Sequence, residues 1–128
     1  MSHDERNIIH AYGRGQAIDD GVLVDVTETA REAGFVYPVA LTCGAWERCV
    51  SVPEDVKGSQ DETGRLWDVL SLLRFAVKTG DGGPHLRYSV GVRNSHKGGG
   101  HELVSLHAVC GPDDDGSPCI TVMLEGED

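Results

Sequence analysis

The spacing of apolar residues predicts one long helix at the centre of the fold. Between Glu62 and Lys78, apolar side chains recur every three or four positions, Asp61 is placed to cap the start, and Gly80 follows the end. The apolar stripe consists of Leu66, Val69, Leu70, Leu73 and Val77, and it is widened by Trp67, Leu72 and Ala76. A helix that is apolar over more than half of its circumference is normally packed on a sheet or covered on two sides. We therefore expect this helix to be the core of the fold, with Trp67 as a packing residue.

Alternation of apolar and polar residues predicts antiparallel strands in the C-terminal third. The alternating segments are Leu86–Arg93, Leu103–Cys110 and Cys119–Leu124, and the segments between them have turn chemistry and hairpin lengths. One face of these strands is apolar and should carry the long helix. The residues expected on that face are Leu86, Tyr88, Val90, Val92, Val104, Leu106, Ala108, Ile120, Val122 and Leu124.

Shorter elements are predicted ahead of the long helix. They are a strand at Val22–Val26, an extended segment at Phe35–Leu41, and short helices at Arg14–Asp19, at Glu28–Ala33 behind an N-cap at Thr27, and from Thr42 to Cys49. The sequence thus predicts an α+β fold. In it, a C-terminal antiparallel sheet of three to four strands packs against one long amphipathic helix, with short N-terminal helices beside them.

Length and composition are those of a single globular unit. The chain has 128 residues, 39% of them hydrophobic and 25% charged. At this size about two-thirds of the extended surface can be buried, enough for a core without disulfides or metal. We expect a flexible N-terminus at residues 1–11 and one α+β domain at residues 12–128. No apolar run reaches the length of a membrane span and no signal peptide is visible, so a cytoplasmic protein without membrane contact is predicted.

The charge of the chain argues against direct binding of nucleic acid. There are 21 acidic and 11 basic residues, giving a formal net charge of −10, whereas phosphate binding needs clustered cations. The charge is uneven: residues 102–128 carry seven acids and no base, and residues 74–101 carry five bases and one acid. The excess of acidic residues is typical of a solvated surface. It is also expected of a protein whose acidic face competes for a basic groove on another protein.

Cysteine and histidine spacings do not predict a metal centre. The four cysteines are Cys43, Cys49, Cys110 and Cys119. Their spacings lack the tight turn with which two thiolates usually meet zinc, so reduced and mostly buried thiols are expected. His96 and His101 flank a glycine-rich loop closely enough to share an ion, but no carboxylate or thiolate joins them at a diagnostic spacing. We expect no metal and no cofactor, and metal binding by these six side chains stays an open question.

The polar face of the predicted sheet is an alternative site. It combines Arg87, Ser89, Arg93, Ser105, His107 and Thr121. Arginine forks suit carboxylates or phosphates and histidine transfers protons near neutral pH, so Arg87, Arg93 and His107 are candidates for ligand binding or catalysis. An open sheet face that is polar only because it is solvated has the same pattern.

Three segments resemble a family of small bacterial proteins of unknown function. They are YGRGQAIDDGVLVDVTETAREAGFVYPVALT at 12–42, GRLWDVLSLLRFAV at 64–77 and ITVMLEGED at 120–128. Proteins of this family are encountered largely on plasmids, integrative elements and prophages. The resemblance implies an accessory protein of a mobile genetic element that works inside a bacterium, and it implies no catalytic residue.

Charge and resemblance together suggest a non-enzymatic inhibitor of a host defence system, of the anti-restriction or anti-CRISPR type. Its partner would be a defence protein whose basic groove accepts carboxylates in place of nucleic acid phosphates. The candidate contacts are Asp19, Asp20, Asp25, Glu28, Glu32, Asp113, Asp114, Asp115, Glu125 and Glu127. The alternatives are a ligand-binding or regulatory module on the polar sheet face, and a small enzyme on that same face.

Overall fold

The computed structural model describes residues 13–52, 61–92 and 102–127. Its helices are α1 (Arg14–Asp19), α2 (Thr27–Glu32), α3 (Cys43–Cys49) and α4 (Glu62–Thr79). Asp61 and Thr42 cap α4 and α3 as predicted, accepting hydrogen bonds from Gly64 N at 2.6 Å and Ala45 N at 3.1 Å. The long helix, its cap and the short N-terminal helices are therefore confirmed.

The cap predicted for the second short helix is wrong. The N-cap of α2 is Val26, and Thr27 is already the first helical residue. The Thr27 hydroxyl instead accepts a hydrogen bond from Val39 N at 3.2 Å. This hydrogen bond joins the start of α2 to the neighbouring strand β2. The Thr27 hydroxyl that makes it is the group that would otherwise cap the helix.

The sheet has five strands, two more than the C-terminal hairpins supply. They are β1 (Leu23–Asp25), β2 (Val39–Thr42), β3 (His85–Val92), β4 (Glu102–Pro112) and β5 (Pro118–Leu124), in the order β1-β2-β5-β4-β3. All neighbours are antiparallel except β2 and β5, which are parallel. The prediction of a purely antiparallel C-terminal sheet of three to four strands is thus wrong in strand number, direction and location, although the α+β class is confirmed.

Strand β2 explains the difference. Val39, Ala40 and Leu41 are each 0% exposed, so both faces of this strand are covered. A continuous apolar run is typical of a strand buried on both sides, whereas alternation identifies only half-buried strands. Because β2 precedes α3, α4 and two strands before it meets β5 in parallel, nothing local in the sequence reveals its partner.

Helices α2, α3 and α4 cover one side of the sheet, which we name the inner face. Its core includes Val69, Leu70 and Leu73 of α4, all 0% exposed, and the predicted apolar strand positions. The Tyr88 hydroxyl donates to Val69 O at 3.1 Å, and its burial raises the pKa of Tyr88 above the ordinary range. The predicted inner face of β3, β4 and β5 is confirmed by this packing.

The opposite side, the outer face, is partly covered by α1. Arg14 extends over it, donating from Nη1 to Thr121 Oγ1 at 2.6 Å and from Nη2 to Ile120 O at 2.7 Å. Ala17 of α1 is buried, as are Ala40 and Cys119 of the sheet. The prediction of an open, solvated face is therefore wrong at this end, because the first short helix folds back across it.

Helix α4 is less enclosed than its apolar circumference predicts. Trp67 is 43% exposed, Val77 50% and Phe75 66%. The helix is packed on the sheet, the first of the two expected arrangements, and it is not covered on a second side at these positions. Trp67 and Val77 therefore lie outside the core, although Trp67 was expected to be a packing residue and the spacing of Val77 fits the stripe. The C-terminal half of α4 therefore presents apolar side chains beside the sheet.

Candidate functional site

An apolar cleft of about 760 Å³ opens between the C-terminal half of α4 and the inner face of the sheet. Its floor is formed by Leu86, Ala108, Cys110 and Ile120, which face one another across β3, β4 and β5 in the register pairs Leu86–Ala108 and Cys110–Ile120. This volume lies within the roughly 300–1,000 Å³ typical of small-molecule sites.

The two walls of the cleft come from separate parts of the chain. Leu73 and Val77 of α4 form one wall, and residues 35–37, ahead of β2, form the other. Within that segment Val36 is 86% exposed and Tyr37 43%. Large apolar side chains that are exposed next to one another are typical of a binding surface. The walls therefore carry apolar surface that the fold itself does not bury.

Glycines keep the cleft open where α4 turns into β3. Gly80, Gly82 and Gly83 all line it. A Cβ atom at Gly80 would lie 2.9 Å from Ala76 O and 3.2 Å from Leu86 Cδ1, so a larger residue would push the helix end away from the sheet. The chain thus turns sharply here without inserting a side chain that would fill the space.

The rim of the cleft is positively charged. Arg74 and Lys78 lie one turn apart on α4, and no aspartate or glutamate is among the described residues that line the cleft, although Asp81 lies between the lining residues Gly80 and Gly82. Arg74 Nη1 donates to Gly34 O at 2.5 Å, which holds the guanidinium between the helix and the opposite wall. The cleft is therefore an apolar space beside two cations in an otherwise acidic protein.

One free thiol lies in the cleft. Cys110 is half-buried there, while Cys49 and Cys119 are buried elsewhere and Cys43 is exposed. Burial raises the pKa of Cys49 to about 11 and also raises the pKa of Cys119. Thiols held in the protonated form are poor nucleophiles. Within residues 13–52, 61–92 and 102–127, no group of three histidine, cysteine or acidic side chains is arranged to hold a metal ion. His96 and His101 lie outside these ranges.

The acidic residues predicted near the C-terminus occupy two separate places. Asp113, Asp114 and Asp115 precede β5, whereas Glu125 and Glu127 follow it. A seven-residue strand is about 20 Å long, so the structure does not bring these two groups together. Several of these carboxylates have structural partners: Asp114 accepts from Arg14 N and Gly15 N, and Glu127 accepts from Thr42 Oγ1.

The N-terminal acidic candidates are also divided between the two faces. The C-terminal end of α1, on the outer face, carries Asp19 and its C-cap Asp20. Helix α2, on the inner side, carries Glu28 and Glu32. Asp25 lies between the two helices in the chain and accepts hydrogen bonds from both the amide and the hydroxyl of Thr27. These acidic candidates therefore lie at several separate places, and none of them lines the cleft.

Two of the three predicted ligand-binding residues on the outer face are brought together. Arg87 and His107 are direct partners across β3 and β4, while Arg93 lies outside the described residues. Arg87 Nε contacts Glu125 Oε1 at 2.7 Å, so its charge is balanced by an acid. His107 is only 3% exposed and its Nε2 lies 3.1 Å from His85 Nδ1. A histidine on an open, solvated sheet face would be exposed, so that alternative is wrong at His107.

The sequence analysis missed the cleft. Its residues come from four elements and two connections, and no motif joins them. The signals present in the sequence were indirect: an apolar stripe wider than one packing face requires, ending in Arg74, Lys78 and a glycine-rich connection. The width of the apolar stripe predicts a helix that is buried over most of its surface, whereas part of the stripe lines the cleft.

The chain was compared with protein families, curated proteins and solved structures. The model of a family of unknown function (DUF6573) matches residues 2–128. No curated protein and no solved structure matches the chain. In the part of the chain that the structure describes, no helix has the length and hydropathy needed to cross a bilayer.

Proposed function

The chain belongs to this family of unknown function, and we propose from its geometry that it is a binding protein whose cleft takes an amphipathic anion. The apolar body of the ligand lies between α4 and the sheet, and its acidic head lies at Arg74 and Lys78. One observation carries the proposal: an apolar cleft of about 760 Å³ in which the charged residues of the described lining, Arg74 and Lys78, are both cationic.

Elementary energetics favour this class of ligand. Each methylene removed from water contributes about 0.8 kcal/mol, so the apolar floor and walls supply affinity that grows with chain length. Two cations near the head favour an anion over a neutral or cationic molecule of the same shape, because no carboxylate among the described lining residues balances them. A long-chain carboxylate is the simplest molecule with both features.

The direct test is calorimetric titration with three ligands that share one chain: dodecanoate, dodecanol and dodecyltrimethylammonium, all below micelle-forming concentrations. Dodecanoate should bind with one site, and decanoate should bind roughly tenfold more weakly because two methylenes are lost. Equal affinity for the anion and the cation would contradict the proposal, as would the absence of dodecanoate binding.

Matched variants locate the site. Val36→Glu places a carboxylate on an exposed wall residue and Lys78→Glu reverses one rim charge, so each should weaken dodecanoate binding at least about tenfold. Arg31→Glu is the control, because Arg31 is an exposed residue of α2 that does not line the cleft. Arg31→Glu changes the net charge by the same amount as Lys78→Glu and should leave the affinity for dodecanoate unchanged. A uniform loss in all three variants would show a nonspecific charge effect and overturn this location.

We keep inhibition of a host defence protein as a second candidate, with the chain acting as an accessory protein of a mobile element. The supporting observation is the turn between β4 and β5, in which three aspartates follow one another: Asp114 and Asp115 are exposed and Asp113 is half-buried. Hydrogen bonds from Ser117 hold the pKa of Asp115 below its usual range, so this carboxylate stays charged. The partner would present a basic groove.

This candidate is tested by removing charge without removing hydrogen-bond acceptors. The triple variant Asp113→Asn, Asp114→Asn, Asp115→Asn should abolish inhibition of a restriction or CRISPR nuclease assayed in vitro. The control is Glu47→Gln, Glu62→Gln, Asp68→Asn, which removes the same charge at exposed acids that are not candidate contacts. Unchanged inhibition by the first variant, or no inhibition by the original chain, would contradict the candidate.

A further inference from the structure

Two histidines meet on the outer face, on the opposite side of the sheet from the cleft. His85 Nδ1 and His107 Nε2 are 3.1 Å apart, and the ring centroids are separated by 5.2 Å. The register places Arg87 opposite His107 and Val109 opposite His85, so the two histidines are diagonal neighbours on β3 and β4. From this pair, we propose that His85 and His107 form a binding site for a divalent late transition metal ion such as Ni²⁺, Cu²⁺ or Zn²⁺.

The separation of the two nitrogens suits a shared ion. Imidazole nitrogens bind zinc at about 2.0–2.1 Å, and two of them at neighbouring corners of a tetrahedron are roughly 3.3 Å apart. The observed 3.1 Å requires only a small movement. Without an ion, one ring donates the shared hydrogen to the other. With an ion, both nitrogens offer lone pairs, and that hydrogen moves to the far nitrogen of its own ring, so no proton is lost from the neutral pair.

The site is held in place before an ion arrives. His107 is 3% exposed, which fixes its ring, whereas His85 is exposed and leaves a path from solvent. The Arg87–Glu125 ion pair joins β3 to the end of β5 across β4, on the same face as the histidines. Fixed ligand rings lose little conformational freedom on binding, which favours affinity.

The chemistry selects the class of ion. Imidazole suits copper, nickel and zinc, whereas magnesium and calcium prefer oxygen ligands. The described residues supply two imidazoles and no further histidine, cysteine or acid arranged as a third ligand. In the proposed site, two protein ligands leave the remaining positions to water. We expect a moderate affinity, and the open positions leave room for an additional ligand from solution.

The test uses the whole chain and titrates it with NiCl₂, ZnCl₂ and MgCl₂, following the imidazole nitrogens by ¹⁵N NMR and binding by calorimetry. Ni²⁺ and Zn²⁺ should bind at one site and shift Nδ1 of His85 and Nε2 of His107, while Mg²⁺ should not. His85→Ala should weaken this binding at least about tenfold, since one of two protein ligands is lost. His85 is exposed, so this variant is expected to fold.

Two controls distinguish the pair from other ligands on the chain. The double variant His96→Ala, His101→Ala removes the histidines of the glycine-rich segment, and Asp113→Asn, Asp115→Asn removes surface charge. Neither should change the affinity. Equal binding by the original chain and by His85→Ala would overturn the proposal, as would shifts confined to other histidines or no binding at millimolar Ni²⁺.

Discussion

On the inner face of the sheet, three helices bury a continuous apolar core and leave one apolar cleft at its end. On the outer face, as far as the described residues show, the six-residue helix α1 covers one end of the sheet, and the other end carries the Arg87–Glu125 ion pair. The strands are shared, so the difference lies in what packs against them. Apolar burial is nondirectional and tolerates a cavity. Polar contacts have fixed geometry, and they are what place two histidines within bonding distance of one ion.

The same truncation on the two faces should give the largest contrast. Leu70→Ala removes a fully buried side chain of the inner core, and Leu103→Ala removes one that is 75% exposed on the outer face. We expect Leu70→Ala to lower the free energy of unfolding by about 2–5 kcal/mol and Leu103→Ala by about 0.5 kcal/mol or less. Urea denaturation measures both. Similar losses would contradict the assignment of the core to the inner face.

The buried thiol on the inner side should make folding sensitive to alkali. Burial raises the pKa of Cys49 to about 11 from 9.0, so the folded chain retains a proton that the unfolded chain releases. Stability is therefore fully present below pH 9 and falls as the pH rises from 9 towards 11. Cys49→Ala should show a shallower fall over this window than the original chain, as measured by urea denaturation at each pH. An identical pH dependence would show that Cys49 is not the cause.

Removing the carboxylate that holds α1 should loosen the outer face alone. Asp114 accepts from the backbone amides of Arg14 and Gly15, so Asp114→Ala should cost about 1 kcal/mol, the usual cost of losing such a cap. Hydrogen exchange should quicken in residues 14–22 and stay unchanged in α4. Asp19→Ala, at the other end of α1, is the control. Faster exchange throughout the protein would contradict an outer face that opens independently.

The exposed ion pair should contribute least to stability. Arg87 and Glu125 have side chains that are 66% and 41% exposed, and such pairs are typically worth under about 1 kcal/mol. Arg87→Gln should therefore leave the melting temperature nearly unchanged, while the NMR signals of His107 shift because part of its cover is gone. A large loss of stability would mean that polar contacts on the outer face contribute as much as the inner core.

Local patterns predicted the elements better than their arrangement. The periodicity of α4, the caps Asp61 and Thr42, and the alternation of β3 to β5 are set by neighbouring residues, and all appear in the structure. The parallel pairing of β2 with β5 joins residues about 80 positions apart, as in Val39 with Ile120. No periodicity encodes such a contact, so the five-stranded mixed sheet had to be observed.

The candidate sites follow the same division. Alternation correctly placed Arg87 and His107 on one face, but it indicated neither the burial of His107 nor its contact with His85. The cleft depends on where α4 ends relative to β3 and on residues 35–37. The apolar side chains of α4 predict that another element packs against the helix. Only the fold shows which of them are packed and which remain open to the cleft.

The proposed function requires that the cleft binds an amphipathic anion. The thiol of Cys110, in the floor of the cleft, reports directly on whether a ligand is bound there. Alkylation by N-ethylmaleimide, followed by peptide mass spectrometry, gives separate rates for Cys110 and the exposed Cys43 in the same sample. Dodecanoate should slow the reaction of Cys110 in proportion to saturation and leave Cys43 unchanged, and dodecyltrimethylammonium should protect neither. An unchanged rate at Cys110 while dodecanoate is bound would place the ligand elsewhere and contradict the proposed function.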